Sequence, residues 1–293
     1  MALRALFLGA PGVVSAGIAR GWQLAGHTIA AIWYPERLAV TSEFEQDRAL
    51  ARRAPGVSMH GLGERGGVSV RAVPRLMTWS AASSEAGLLN VDVVISALFL
   101  DRIPGGFLDA FPKRVFNLHP SLLPAYRGRW PIFNMLWDRK ISACGGMTLH
   151  FVTPTFDAGA LLAQHRVGFP SNCNVSAYYM QLVKSGAALL AENLPLYLED
   201  RLEPAAQDVS EAWQGNQDPR KAKLTAALST DHIQWLCATI PQVTKLGVEG
   251  ASDDISIKTF VQTVGPPTGA PPERNGNSIT MDALDARVRL SLT

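Results

Sequence analysis

Between Leu3 and Trp33 the chain reads LRALFL, then GAPG, then a helix-like stretch from Val14 to Ala25, then Gly26, then TIAAIW. An apolar run, a glycine loop, a helix and a second apolar run can pack in few ways. Strands joined through a crossover helix lie parallel, because an antiparallel return needs only a short turn. The opening therefore predicts an α/β domain built on a parallel sheet. Two further buried strands are expected at Val91–Ala97 (VDVVISA) and Val115–His119 (VFNLH). Residues 35–90 are less regular, and HGLGERGG near 60–67 reads as a loop.

Trp130 to Arg139 has helical character, with Pro131 suited to a first turn. Gly146 to Val152 and Ala160 to Phe169 read as partner strands joined by the loop TPTFDAG. Ser176 to Leu198 has the apolar period of a long helix. After Pro204 the texture changes. Residues 208–223 are polar and linker-like, followed by a short helix at Thr230–Thr239. Then come a strand at Ile255–Val264, the Pro/Gly loop GPPTGAPPERNGN and a strand at Ser278–Leu290. The expected organisation is one domain over 1–203, then a linker and a small β-rich domain over 204–293. A length of 293 residues suits one large and one small domain.

Composition narrows the function. Net charge is +2, and from Glu203 onward 8 Lys+Arg face 11 Asp+Glu. No basic face suited to a phosphate backbone stands out, so a nucleic-acid partner is not expected. No run of 18 apolar residues predicts a membrane span, and MALRALFLGAPG reads as a first strand, not a leader. Three scattered cysteines suit neither a disulfide framework nor a zinc site, and a reducing cytoplasm is the expected home.

The candidate sites are unequal. GAPG lacks the third glycine of a dinucleotide fingerprint, and no acidic residue ends the second strand, so it reads as a plain strand-to-helix turn. His150, on an alternating strand, reads as a satisfied β histidine. No histidine pair has metal-ligand spacing on a helix, so no metal is expected. Cys144 has no base placed beside it. FNLHPSLLPAYRGRWP (116–131) differs. Asn117 and His119 end a buried strand and share one of its faces, at the strand end where open α/β sheets bind ligands. An Asn amide donates to a carbonyl oxygen, and a His takes a proton near neutral pH. Asp157, in the glycine-flanked loop, is a candidate to orient or relay. Spacing alone leaves a plain strand end open as the alternative.

These residues resemble the formyltransferases that use 10-formyltetrahydrofolate. The resemblance rests on Asn117-x-His119, SLLPAYRG (121–128), GMTLHFVTPTFDAG (146–159) and Gln164, and is strong over roughly 91–170. It implies a Rossmann-like formyltransferase domain followed by a small barrel-like domain. It also implies that Asn117, helped by His119, holds the formyl oxygen, that His119 takes the amine proton, and that Asp157 orients His119. The pterin is expected against Leu98–Pro104 and Thr153–Asp157, with Leu98, Phe99, Leu100, Ile103, Val152, Thr155 and Phe156 as neighbours. Pro120 and Pro124 are expected to stiffen the loop between.

The resemblance implies an amine as acceptor. YRGRWP and DAGALLAQ (157–164) resemble sugar-nucleotide N-formyltransferases more than the methionyl-tRNA enzymes, which typically carry WRGAAP. That favours a nucleotide-linked amino sugar, with Ser121, Tyr126, Arg127, Arg129 and Trp130 as candidate contacts. Methionyl-tRNA, another small-molecule amine, and hydrolysis of the formyl donor are the alternatives. A homo-oligomer is left open.

Overall fold

A computed structural model describes the backbone of all 293 residues and the side chains of all but residues 65, 66 and 209. It separates into two compact units. The first comprises 1–128, 146–167 and 179–213, and the second 129–145, 168–178 and 214–293.

In chain order the first unit holds β1 (Arg4–Gly9), α1 (Val13–Leu24), β2 (Thr28–Pro35), α2 (Ser42–Arg53), α3 (Met59–Gly66), β3 (Ser69–Val73), α4 (Ala82–Gly87), β4 (Val93–Ala97), α5 (Gly105–Ala110), β5 (Val115–His119) and β6 (Ala125–Arg127). It continues with β7 (Gly146–Phe151) and β8 (Leu161–Arg166). Seven strands form one sheet in the order β3-β2-β1-β4-β5-β7-β8. β3 through β5 are parallel, while β7 and β8 turn the far edge antiparallel. Every residue of β4 is buried, as expected of a central strand covered on both faces. Between β1, β2 and α5 lies a core of Leu6, Leu8, Trp33, Val94, Phe107 and their neighbours.

Residues 35–90 are more ordered than their pattern suggests. Thr41 caps α2, its Oγ1 accepting from the Phe44 N–H at 3.3 Å. Glu43 and Glu45 lie in its first turn and Arg52 and Arg53 in its last, complementing the helix dipole. The stretch read as a loop, 60–67, is mostly α3. Ser58 caps it through the Gly61 N–H at 3.1 Å.

The second unit contains α6 (Pro131–Trp137), α7 (Ile141–Cys144), the start of α8 (Val175–Leu198) and α9 (Thr230–Thr239). Its β9 (Ile257–Gly265), β10 (Glu273–Asn275), β11 (Ser278–Asp282) and β12 (Arg287–Leu292) form an antiparallel sheet in the order β9-β12-β11-β10. The expected single strand over 278–290 is a hairpin, since its chain reverses where the Ala283 N–H donates to Ala286 O at 2.7 Å. β10 lies inside the stretch read as a Pro/Gly loop. Among the described residues no helix is long and apolar enough to cross a membrane.

Candidate active site

β5 carries Asn117 and His119 to its carboxyl end. The register sets Asn117 against His150 of β7 and His119 against Thr148. The loop after β7 then brings Asp157 back to both. Gly159 allows this return, because a Cβ there would stand 2.0 Å from Phe151 O.

The Asp157 carboxylate faces three side chains and one main-chain donor. Its Oδ1 lies 3.3 Å from Asn117 Nδ2 and 3.5 Å from His150 Nε2. Its Oδ2 lies 3.5 Å from His119 Nδ1 and accepts the Gly128 N–H at 2.8 Å. The other ring nitrogens settle the tautomers. His119 Nε2 stands 2.8 Å from Tyr126 O, so it carries the hydrogen and donates. A neutral His119 therefore turns a bare Nδ1 to Asp157. His150 Nδ1 donates to Phe151 O at 2.8 Å, which leaves Nε2 to accept from Asn117 Nδ2 at 3.1 Å.

The electrostatics follow from burial and charge. Burial drives His119 below the ordinary histidine value, opposed by the charge of Asp157 and the hydrogen bond to Tyr126. Burial pushes Asp157 up, but in the acid range where it titrates the charge of a protonated His119, the His150 ring beside it and the Gly128 N–H outweigh burial and hold the carboxyl well below its usual range. Near neutral pH the arrangement is thus a buried carboxylate beside a neutral imidazole whose free nitrogen faces it. It can accept a proton as a pair, and Asn117 supplies an amide donor next to it.

The surrounding loops are tied to the sheet. Thr148 Oγ1 donates to Ser121 O at 2.6 Å and accepts from the Leu123 N–H at 3.1 Å and Gln164 Nε2 at 2.9 Å. Gln207 holds the Asp157 loop, donating to Asp157 O at 2.8 Å and Gly159 O at 2.7 Å. Its Oε1 accepts from Arg127 Nε at 3.0 Å and Nη2 at 2.6 Å. Leu98, Tyr126 and Asp157 have φ of 64°, 60° and 51°. Such left-handed non-glycine residues cost about 1–3 kcal/mol each and persist where surrounding bonds fix them.

The structure thus brings Asn117, His119 and Asp157 together. Phe99 and Ile103 belong to the apolar core, with Val152 packed against it, while Leu98 is half-buried. Leu100, Thr155 and Phe156 are exposed. Arg102 lies 5.1 Å from the Phe156 ring centre, so the 98–104 segment and the 153–157 loop are neighbours. Ser121 is fully buried and its hydroxyl donates to Ala125 O at 2.7 Å. Tyr126 is buried with its ring edge-on to Trp213. Arg129 and Trp130 are exposed residues of the second unit. There Arg220 lies over the Trp130 ring at 5.5 Å. Among the described residues no group of three or more His, Cys, Asp or Glu could hold a metal ion.

Sequence reasoning passed over three contributors. His150 was legible only through its pairing with Asn117, which alternation along one strand does not reveal. Gln207 stands 50 residues beyond Asp157 in a polar stretch with no pattern. The Gly128 N–H carries no side-chain signature.

A model of the formyl transferase family matches residues 55–194, which include Asn117, His119, His150 and Asp157. Methionyl-tRNA formyltransferase of Geobacillus thermodenitrificans is 36% identical over 121 residues, 41% of this chain and 37% of that protein. The chain matches less than half the length of this and other curated relatives, such as the Listeria welshimeri enzyme at 43%. Among solved structures, the sugar 3N-formyl transferase WlaRD, crystallised with dTDP and 5-N-formyl-THF, superposes with a TM-score of 0.66 at 13% identity, covering 100% of this chain and 98% of that one. The N-formyltransferase of Helicobacter canadensis, in complex with folinic acid and dTDP-3-aminofucose, gives 0.65 at 14% identity, covering 100% and 99%. At such identities these likenesses establish the fold.

Proposed function

We propose, for a chain that carries a formyl transferase domain over residues 55–194, that it transfers a formyl group from 10-formyltetrahydrofolate to a primary amine. The observation that carries this reading is the convergence of Asn117, His119 and His150 on the ionised Asp157. When bound, the folate supplies an electrophilic formyl carbon on a nitrogen that can leave. The neighbouring segments 98–104 and 153–157 are assigned to its pterin, whose donor and acceptor edge main-chain groups can satisfy.

The geometry supports the following roles. Asn117 Nδ2 donates to the formyl oxygen as it gains negative charge, exchanging its long contact with Asp157 for a shorter one. The His119–Asp157 pair takes a proton from the attacking amine as the new C–N bond forms. It returns a proton to the departing nitrogen as the old bond breaks. Contacts of 3.5 Å are of the kind that tighten during reaction. Gln207 and Gly128 hold Asp157 in place and touch no reacting atom. The reacting residues fall within 1–203, assigned as the catalytic domain, and Gln207 reaches in from the start of 204–293.

The acceptor assigned is a nucleotide-linked amino sugar, supported by YRGRWP, DAGALLAQ and the acidic balance beyond residue 203. Arg127 commits two nitrogens to Gln207, which makes it a scaffold residue before it is a phosphate contact. A second reading, methionyl-tRNA as acceptor, is favoured by the 36% identical relative. Three scattered cysteines, Cys144, Cys173 and Cys237, support the reducing cytoplasm as its place. The test is tetrahydrofolate release from 10-formyltetrahydrofolate with no acceptor, with nucleotide-linked 3-amino and 4-amino sugars, with amino acids, and with methionyl-tRNA. Release only with an amino sugar is expected. Release without acceptor would make the protein a hydrolase, and release only with tRNA would replace the acceptor.

A further inference from the structure

The first unit has a concave site at the opposite end of its parallel strands. Asn117 and His119 lie at the carboxyl end of β5, and β1, β2, β4 and β5 run parallel. A cavity of about 640 Å³ opens instead at the amino ends of β1 and β2, lined by Arg4, Arg20, Gln23, His27, Ile29 and Leu62 among others. Its volume is within the range of small-molecule sites.

The chemistry of the lining is one-sided. Its described residues include two guanidinium groups and no carboxylate. The acid beside Arg4, Asp92, accepts from the Arg4 main-chain N–H at 2.7 Å. The Arg20 and Gln23 side chains, in the second half of α1, make no hydrogen bond or ion pair among the described residues. His27 is 9% exposed and stacks on Trp22 with ring centres 4.0 Å apart. Its Nδ1 accepts the Leu3 N–H at 3.1 Å, so the hydrogen sits on Nε2, which has no protein partner. Arg4 Nε donates to Leu89 O at 3.2 Å, so of the two guanidinium groups Arg20 alone is wholly uncommitted. A nine-tenths buried imidazole donor, a free amide and the Arg20 guanidinium therefore share one cavity without an acceptor to answer them, beside the terminal nitrogens of Arg4. Ile29 and Leu62 give the same cavity an apolar wall.

We propose that this cavity binds an organic phosphate. Several donors of mixed geometry suit a tetrahedral anion with three free oxygens better than a carboxylate with two. The phosphate meets Arg4, Arg20, Gln23 and His27 Nε2–H, and the organic body lies on Ile29 and Leu62. Because the site is across the sheet from Asn117 and His119, its ligand is distinct from the formyl donor and the acceptor.

The test is calorimetric titration of the full chain with phenyl phosphate and with inorganic phosphate at constant ionic strength. One saturable site is expected, with phenyl phosphate about fivefold the tighter through its buried ring. Arg20→Ala, an exposed helix position, should weaken binding about tenfold. Gln23→Ala should weaken it less, and Asn117→Ala should leave it unchanged. Absence of saturable binding, full binding by both Arg20→Ala and Gln23→Ala, or loss on Asn117→Ala would overturn the site. Equal affinity for the two probes would overturn its organic half.

Discussion

Asp47 and Asp157 are carboxylates set beside histidines, the first buried and the second largely so. Asp47 accepts from the Gly12 and Met59 N–H groups on one oxygen, each at 3.1 Å. On the other it accepts from Ser58 Oγ at 3.0 Å, the His60 N–H at 3.1 Å and His60 Nδ1 at 2.6 Å. Asp157 has one short bond, 2.8 Å from Gly128, and its three side-chain neighbours stand at 3.3–3.5 Å. Asp47 is saturated, and its bonds join the glycine loop, α2 and the start of α3. Asp157 keeps lone pairs available and a histidine nitrogen within reach. The difference separates a carboxylate that holds structure from one positioned to change its partners.

Exchanging one atom in each carboxylate should give opposite phenotypes. Asp157→Asn should lower kcat by about 10²–10⁴, the usual range for losing a proton-transfer group, and that loss should persist in the fully folded protein whatever the fall in its urea midpoint. Asp47→Asn introduces an amide where five donors converge. It should cost ~3–5 kcal/mol of stability, as breaking a buried charged network does, while the folded fraction keeps its turnover. Turnover assays beside urea titrations read both. If Asp47→Asn folds normally and is inactive, saturation has been misread as structure. His119→Ala should match Asp157→Asn, since the two act as one proton acceptor.

Asn117→Ala comes next, sharpening what surrounds Asp157. Loss of one oxyanion donor costs about 2.7–4 kcal/mol, or 10²–10³ in kcat. The Michaelis constant for the folate should hardly change. A rise in that constant with kcat preserved would show that Asn117 serves ground-state binding.

The same pair of regions shows what was legible in the sequence. β5 coincides with the expected VFNLH, and α9 with the expected 230–239, because apolar runs there end at clear boundaries. The resemblance then supplied roles for Asn117, His119 and Asp157 that spacing left open. The Asp47 region was not legible. α2 buries only Asp47 and Ala51, so it shows little apolar period and depends on its cap and end charges. α3 contains glycines, which oppose helix, yet Gly61 cannot be larger: a Cβ would stand 2.4 Å from Pro55. Such a contact is tertiary and leaves no local pattern. Gln207 and His150 were hidden for the same reason, since each matters through a partner far along the chain.

Gln207→Ala tests whether Asp157 needs its loop held. Gln207 acts on main-chain oxygens, so its loss should lower kcat about tenfold through misplacement and leave the acceptor's Michaelis constant within about twofold. Gln207→His, which can still donate to one carbonyl, should recover part of the loss. A purely structural role would instead lower the thermal midpoint with kcat unchanged.

The smallest effects concern pH, where His119 and Asp47 should titrate in different windows. Burial holds His119 below the ordinary value of 6.5, so on acidification the unfolded chain takes up this proton first. The corresponding stability is complete above 6.5 and is lost as pH falls through the depressed folded value. Burial raises Asp47, but bonds from His60, Met59 and Ser58 outweigh it, so its contribution is complete above the ordinary 3.8 and is lost below that. Urea midpoints measured against pH should therefore decline in two stages. His119→Gln should flatten the upper stage without removing it, because burial depresses His27 as well. Asp47→Asn should flatten only the lower one, without removing it, because Asp157 is held below its ordinary value as well. An upper stage untouched by His119→Gln would mean that its imidazole is already charged in the folded protein, and the proton-accepting role given to the His119–Asp157 pair would have to pass to Asp157 alone.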